Sequence, residues 1–276
     1  MKLTFWGTRG SIAVPGPETL RYGGNTTCLA LDIEGQPPVV LDAGSGIRAL
    51  GLQMLDLPGP LRVNLLITHL HWDHLLGFLF FYPAYRPDVS IHLGGWPRCL
   101  EGIQGLFDSQ RGDGHFPVMF EQLPSRITRD EALLAPRFDL GPVRVQTIPL
   151  NHPQGGVGLR FSRDGRSFVF LTDNELGGTR GPQLEDYARF CRGAQVLIHD
   201  AQYLPEEMDR HRGWGHSDWR SALELAQKAG VERLILTHHD PNRGDDAIDA
   251  MLDQARYQAG PGLVVEAAHE GLSLTI

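Results

Sequence analysis

Apolar runs of strand length recur along the chain, separated by Gly- and Pro-rich turns and by stretches with helical spacing. They predict strands over Leu3–Gly7, Thr26–Ile33, Val39–Asp42, Val63–Thr68, Val89–Leu93, Val143–Ile148, Gly158–Ser162, Phe168–Thr172, Val196–His199 and Leu234–Thr237. The early runs lie as close together as hairpin strands, so mixed sheets are expected rather than purely parallel ones. The best helix runs from Asp218 to Ala229. There Trp219, Ala222, Leu223 and Ala226 recur at i, i+3, i+4 and i+7, with Ser217 as the expected N-cap and Gly230 just past the end. Further helices are expected over Ile47–Asp56 and about Asp245–Tyr257, and the run Leu75–Tyr82 would start another. Residues 94–140 are rich in Gly, Pro and Arg and read as an insertion or lid rather than sheet. With no repeat and no long linker, residues 1–276 read as one α/β domain.

Four of the runs end alike: Leu65-Leu66-Ile67-Thr68-His69, Phe170-Leu171-Thr172-Asp173, Leu197-Ile198-His199-Asp200 and Leu234-Ile235-Leu236-Thr237-His238. Each is a buried-strand pattern that delivers a metal-capable side chain at its carboxyl end. In layered α/β proteins ligands converge on that edge, so distant residues would meet at one rim.

The densest chemistry is His69-Leu70-His71-Trp72-Asp73-His74. Four ionisable groups after a buried strand are costly without a shared partner. Imidazole and carboxylate together suit zinc, and also manganese or iron. The i, i+2 spacing lets His69 and His71 face one ion, while Asp73 and His74 face a second about 3.5–4 Å away, as in two-metal hydrolases. Such ions need more ligands, and Asn151-His152-Pro153, Thr172-Asp173-Asn174 and Thr237-His238-His239-Asp240 offer them.

Charge narrows the partners. The 276 residues carry 25 Lys+Arg and 33 Asp+Glu, a formal charge of −8, and only Lys2 and Lys228 are lysines. That balance disfavours tight binding of duplex nucleic acid, which draws on many phosphate contacts. No apolar run approaches the ~18 residues of a membrane span, and the first seven residues are too short and polar for a signal peptide. Three cysteines without a Cys-x-x-Cys pair point to a reducing, cytoplasmic compartment. A homo-oligomer is compatible with the sequence.

The ordered set His69, His71, Asp73, His74, His152, Asp173 and His238 resembles the metallo-β-lactamase superfamily, and within it the branch of RNase Z and small phosphodiesterases. Phe5-Trp6-Gly7-Thr8-Arg9-Gly10-Ser11, Asn25-Thr26-Thr27 and Leu41-Asp42-Ala43-Gly44-Ser45-Gly46 match the early loops of that family, where the Asp-x-Gly element is structural or supports the ligands. The resemblance implies an αββα sandwich, two mixed sheets with helices on the outer faces and metals at one edge. It implies that His69, His71 and His152 bind one ion, that Asp73, His74 and His238 bind the other, and that Asp173 bridges them. Ile198-His199-Asp200-Ala201-Gln202 and Gly213-Trp214-Gly215-His216-Ser217 resemble paired elements of the same branch. These imply a general acid, His216, oriented by Asp200, with Asp200 as a support for a ligand imidazole in the other reading. Asp73 would also steer the attacking hydroxide.

The implied activity is a dinuclear phosphodiesterase acting through a metal-bridging hydroxide. Two dications outweigh two carboxylates and a hydroxide, so a phosphodiester monoanion is attracted despite the acidic chain. The helix after Ser217 would add its positive end. RNase Z relatives carry a protruding arm that grips transfer RNA; no basic, flexible arm is evident here, which favours a small, cyclic or oligonucleotide phosphodiester or a short RNA. The turn Asp173-Asn174-Glu175 also departs from the Gly-Asp-Thr form common in the branch. The alternatives are a tRNA 3′-processing endoribonuclease and a lactonase or thioesterase, with a non-enzymatic metal-binding protein last. An oxygen-reducing di-iron role expects a glutamate where His71 stands.

Other residues read as structural. His92 fits a strand, His199 is out of phase with Asp200, His239 follows a ligand candidate, and His115 fits a solvated loop. Arg9, Arg21 and Arg48 read as salt-bridge formers, with phosphate contact as the alternative. Leu75–Tyr82 reads as core, or as a wall against a nucleobase. Cys28 and Cys191 read as buried thiols, not nucleophiles.

Overall fold

The computed structural model describes residues 1–108, 116–178 and 181–276; His115 and Arg111 lie outside the described residues. Strands β1 (Lys2–Gly7), β2 (Cys28–Asp32), β3 (Val39–Leu41), β4 (Leu61–Ile67), β5 (Val89–Gly95) and β6 (Arg126–Arg129) build the first sheet. Strands β7 (Arg137–Leu140), β8 (Val143–Pro149), β9 (Val157–Arg163), β10 (Arg166–Leu171), β11 (Val196–Asp200), β12 (Arg233–Thr237) and β13 (Val264–Ala267) build the second, and β14 (Ser273–Thr275) returns to the first beside β1. Each sheet has antiparallel pairings at one end and parallel pairings from its middle strand onward, β3 to β6 and β10 to β13.

The alternation along the strands explains the layers. Phe168 and Phe170 of β10 and Val196 and Ile198 of β11 join Leu3, Phe5, Leu29 and Leu66 in a core between the sheets. Their neighbours Val169, Leu171 and Leu197 point the other way, onto α4 (Leu184–Cys191), α6 (Trp219–Ala229) and α7 (Asp245–Ala259), the short α5 (Met208–His211) lying between α4 and α6 in the chain. On the outer face of the first sheet, Val63, Leu65 and Ile67 pack with residues of α1 (Ile47–Met54) and α3 (Cys99–Asp108). The result is helix, sheet, sheet, helix, the αββα sandwich.

Three expectations change. The stretch 94–140 is not outside the sheets: it holds α3, the last strand of one sheet and the first of the other. The N-cap of α6 is Asp218, whose side chain accepts from the Arg220 and Ser221 amides, while Ser217 Oγ donates to the Asn174 carbonyl and accepts from the Leu176 amide. The positive end of α6 is therefore already matched by a carboxylate and adds little attraction for a substrate anion. After the short helix α2 (Trp72–Leu75) the chain tightens into a 3-10 turn over Leu76–Phe80, leaving Phe78 and Phe81 in the core and Trp72, Leu76 and Phe80 exposed. The four strands without a sequence signal, β6, β7, β13 and β14, are the four sheet edges.

Candidate metal centre

Strands β8, β10, β11 and β12 run in one direction, since β8 and β10 both oppose β9 and β10 to β12 are parallel. Their carboxyl ends therefore share an edge, which carries His152, Asp173, Asp200 and His238. The end of β4 reaches the same edge from the other sheet, where the Val157 amide donates to the Thr68 carbonyl at 3.0 Å. His69 follows β4, His71 is the N-cap of α2, and Asp73 and His74 lie on it.

The side chains gather in two groups that share one carboxylate: His69, His71, His152 and Asp173, and Asp73, His74, Asp173 and His238. In the second group His74 Nε2 lies 3.3 Å from Asp73 Oδ2 and 3.2 Å from Asp173 Oδ1. His238 Nε2 lies 3.1 and 3.3 Å from the same two oxygens. A tetrahedral ion with bonds of ~2.0–2.1 Å needs ligand atoms about 3.3 Å apart, so the spacing fits. In the first group His152 Nε2 is 2.9 Å from His71 Nδ1, and Asp173 Oδ2 is 3.6 Å from His69 Nε2 and 3.9 Å from His152 Nε2. His69 Nε2 and His74 Nε2 are buried without a hydrogen-bond partner. Orphaned imidazole nitrogens aimed at one carboxylate, in an N/O donor set, fit two divalent ions.

Backbone strain gathers at the same place. Of the six non-glycine positions with positive φ among the described residues, Ser11, Asp42, Asp173 and His238 lie here, with φ of 64°, 60°, 54° and 59°; the others are Gln154, near His152 in the chain, and Asp164 in the β9–β10 turn. Left-handed backbone is rare outside glycine and persists where surroundings over-determine it.

The second ring nitrogen of His69, His74, His152 and His238 is held, which fixes tautomer and aim. His74 Nδ1 is 2.9 Å from Asp42 Oδ2, and Asp42 also accepts from the Thr68 amide and hydroxyl at 2.7 and 2.9 Å. His69 Nδ1 is 3.0 Å from Thr68 Oγ1, His152 Nδ1 3.0 Å from the Gly215 carbonyl, and His238 Nδ1 3.0 Å from Gln202 Oε1. Asp73 Oδ2 accepts the Ser11 amide at 2.7 Å. Gly10 lies flat against the His238 ring, where a β-carbon would collide with it.

The charges are arranged for cations. Burial presses His69 and His71 below the ordinary imidazole value, helped by neighbouring imidazoles, and presses His152 to about 4. These three offer neutral nitrogens near neutrality. Burial also opposes ionisation of Asp73 and Asp173, but the charges of His74 and His238 outweigh it and hold both carboxyls well below their usual range. His74 is raised against burial by Asp173, Asp73 and Asp42.

Beside this cluster His216 Nδ1 is 3.2 Å from Asp200 Oδ2, and its ring stacks on His238 with centroids 4.9 Å apart. Asp200 is fully buried; Oδ2 also accepts the Asn174 amide at 3.0 Å and Oδ1 the Ser217 amide at 2.8 Å. Burial would lower the His216 pKa, but the hydrogen bond to Asp200 and the charge of Asp173 raise it overall.

All nine sequence candidates thus meet on one rim. Sequence reasoning missed Gln202 and Glu175. Glu175 accepts the Gly213 and Gly215 amides at 2.9 Å and so anchors the turn that carries His216. Of the residues set aside, His239, His92, Arg21 and Arg9 are engaged elsewhere. His239 Nε2 is 2.9 Å from the Ala268 carbonyl, and His92 Nδ1 is 3.5 Å from Asp130. Arg21 pairs with Asp246 and Asp249. Arg9 is fully buried, donating to the Gly23, Asp240 and Arg243 carbonyls, and so braces the loop after His238 rather than meeting substrate. All three cysteines are buried.

Asp42→Asn should weaken the second ion most, through its direct contact with His74, with affinity falling about 10–100-fold, and should reach the first only indirectly, through Thr68 and His69. Competition against a chromophoric chelator measures this, and an unchanged affinity would remove Asp42 from the support of that site.

A family profile described as "Beta-lactamase superfamily domain" matches residues 38–239. The chain is 27% identical to Ribonuclease Z of Methanothermobacter thermautotrophicus over 86% of each protein. It is 23% identical to Ribonuclease Z of Haloarcula marismortui over 93% of this chain and 91% of that one. The solved metallo-β-lactamase fold protein YhfI of Bacillus subtilis superposes with a TM-score of 0.68 at 16% identity, covering 99% of both chains. No helix among the described residues is long and apolar enough to cross a membrane.

Proposed function

The chain belongs to the metallo-β-lactamase superfamily, in its RNase Z-like branch, and is a metallo-hydrolase; from that premise we propose that it is a two-metal phosphodiesterase. His69, His71 and His152 would hold one ion, Asp73, His74 and His238 the other, and Asp173 both. Zinc is the proposed metal, because the histidine-rich set and its near-tetrahedral spacing suit it. Bound there, two dications act as Lewis acids on a phosphoryl oxygen and on water.

The observation that carries the reading is the carboxylate-held imidazole of His216. A lactone or thioester departs without strong acid help, whereas the alkoxide of a phosphodiester needs a proton. With Nδ1 bound to Asp200, the His216 cation has its other N–H, on Nε2, free to give to a leaving oxygen. Asp200 is locked by two further amides, so the ring keeps its orientation when its charge changes. Asp73, fixed by the Ser11 amide, would orient the attacking water.

We assign the activity first to small, cyclic or oligonucleotide phosphodiesters. The chain has a charge of −8, and among the described residues 94–140 is taken up by sheet edges, α3 and short turns rather than by an extended basic arm. The second reading, 3′ processing of transfer RNA, is favoured by the relatives named Ribonuclease Z, which match over most of their length. Purified protein should contain about two ions per chain, and chelation should abolish hydrolysis of bis-p-nitrophenyl phosphate until zinc is restored. A panel of cyclic nucleotides, linear dinucleotides, precursor transfer RNA, lactones and thioesters then separates the readings. Turnover of a lactone or thioester with every phosphodiester inert would overturn the proposal.

A further inference from the structure

Beside the His152 imidazole lies a cavity of about 560 Å³ that the reaction just described does not use. Its walls include Trp96, Pro97, Leu134, Pro149 and Val157, with His152 as the side shared with the cluster. Its volume falls in the ~300–1,000 Å³ range of small-molecule sites.

The cavity sits on the same rim as the chemistry. Trp96 directly follows β5, the neighbour of β4, and its amide donates at 2.7 Å to the Ile67 carbonyl, two residues before His69. Pro149 ends β8 and Val157 starts β9, so the strands that bring in His152 also build the walls. Gly155, in the His152 loop with φ of 84°, lies against the indole edge, where a β-carbon would press on the ring. The half-buried tryptophan is thus held from two sides. Across the shared wall, His152 Nε2 is 2.9 Å from His71 Nδ1.

A largely apolar, aromatic-walled hollow does not suit a phosphate, which would lose its hydration there. It suits the uncharged part of a molecule whose charge rests elsewhere, and the cation-ready cluster is one imidazole away. We propose that this cavity is a specificity subsite that takes the nucleobase of a nucleotide ester, stacked on Trp96, while the phosphate meets the metal cluster. Base–aromatic stacking is tolerant of base identity, so the subsite selects nucleotides as a class over alkyl phosphodiesters. This assignment rests on the phosphodiesterase reading and narrows it.

The test compares thymidine 5′-(p-nitrophenyl) phosphate with methyl p-nitrophenyl phosphate, two esters with the same leaving group. The zinc-loaded protein should prefer the thymidine ester by about tenfold or more in kcat/KM. Trp96→Ala and the cavity-filling Val157→Trp should each bring the ratio to about one, and Trp96→Phe should retain it. Calorimetric titration with thymidine 5′-monophosphate supplies a readout without turnover, with binding expected to weaken about tenfold in Trp96→Ala. If both esters are cleaved without preference and nucleotide binding ignores Trp96, the subsite falls while the phosphodiesterase reading stands. If neither ester is cleaved yet nucleotide binding depends on Trp96, the reaction reading fails and the subsite survives. A preference that persists in both the alanine and the cavity-filling variants also overturns it.

Discussion

Asp173→Ala is expected to empty both metal positions at once and to cut phosphodiester hydrolysis by on the order of 10³–10⁴, the rate equivalent of several kcal/mol of lost Lewis-acid stabilisation. The expectation comes from the two oxygens of a single side chain. Oδ1 faces His74 and His238 at 3.2 and 3.3 Å, and Oδ2 faces His69 and His152 at 3.6 and 3.9 Å. No other described residue belongs to both groups. Its aim is set by a left-handed backbone and by the Thr172 hydroxyl, which donates to Oδ1 at 2.6 Å. Without the carboxylate each group keeps three donors and loses its shared negative charge. Metal content per chain after desalting should drop from about two to well below one. Asp173→Asn keeps the shape and one oxygen, and should retain more metal than the alanine variant. Comparing the melting of both variants with metal-free wild type separates ion loss from misfolding. Two ions per chain and near-normal turnover in Asp173→Ala would remove the bridging role.

The same residue shows what the sequence can and cannot disclose. Asp173 is legible because a buried strand that stops at a carboxylate is expensive unless something waits there, and four strands stop in similar ways. The ten interior or long strands are legible for a related reason: each buries one or both faces, and burial writes itself as apolar runs. Edge strands carry the opposite signature. Arg126-Ile127-Thr128-Arg129 and Arg137-Phe138-Asp139-Leu140 are short and charged, as edges that avoid pairing with other chains usually are. Read linearly, such segments look like loop, so the two sheet edges within residues 94–140 leave no apolar signal. At the helix entry, Ser217 and Asp218 are both competent caps. The choice is made by a tertiary contact, since the Ser217 hydroxyl is engaged by Asn174 and Leu176. Glu175 and Gln202 carry no spacing signal, because their partners are 38 to 40 and 36 residues away. The Trp96 cavity is likewise assembled from the ends of β5, β8 and β9 and has no motif of its own.

His216→Ala should divide substrates by their leaving groups. General acids contribute ~10²–10⁴ when a poor leaving group needs its proton, so dinucleotides and cyclic nucleotides should lose about that much. Nitrophenolate departs as a stable anion, and its esters should lose less than about tenfold. Metal content should stay at about two ions per chain, because His216 belongs to neither donor group. Asp200→Asn should follow the same pattern more weakly. Its single oxygen, at the Oδ2 position, still accepts from the Asn174 amide and gives the His216 Nδ1–H a neutral partner in place of a charged one, while the NH2 at the Oδ1 position takes the acceptor away from the Ser217 amide. Equal losses on both substrate types would mean that His216 shapes the site without transferring a proton. The superfamily fold and the paired metal positions would survive that result, and the argument for phosphodiesters over lactones and thioesters would not, since those substrates share every proposed ligand and differ in their need for this imidazole.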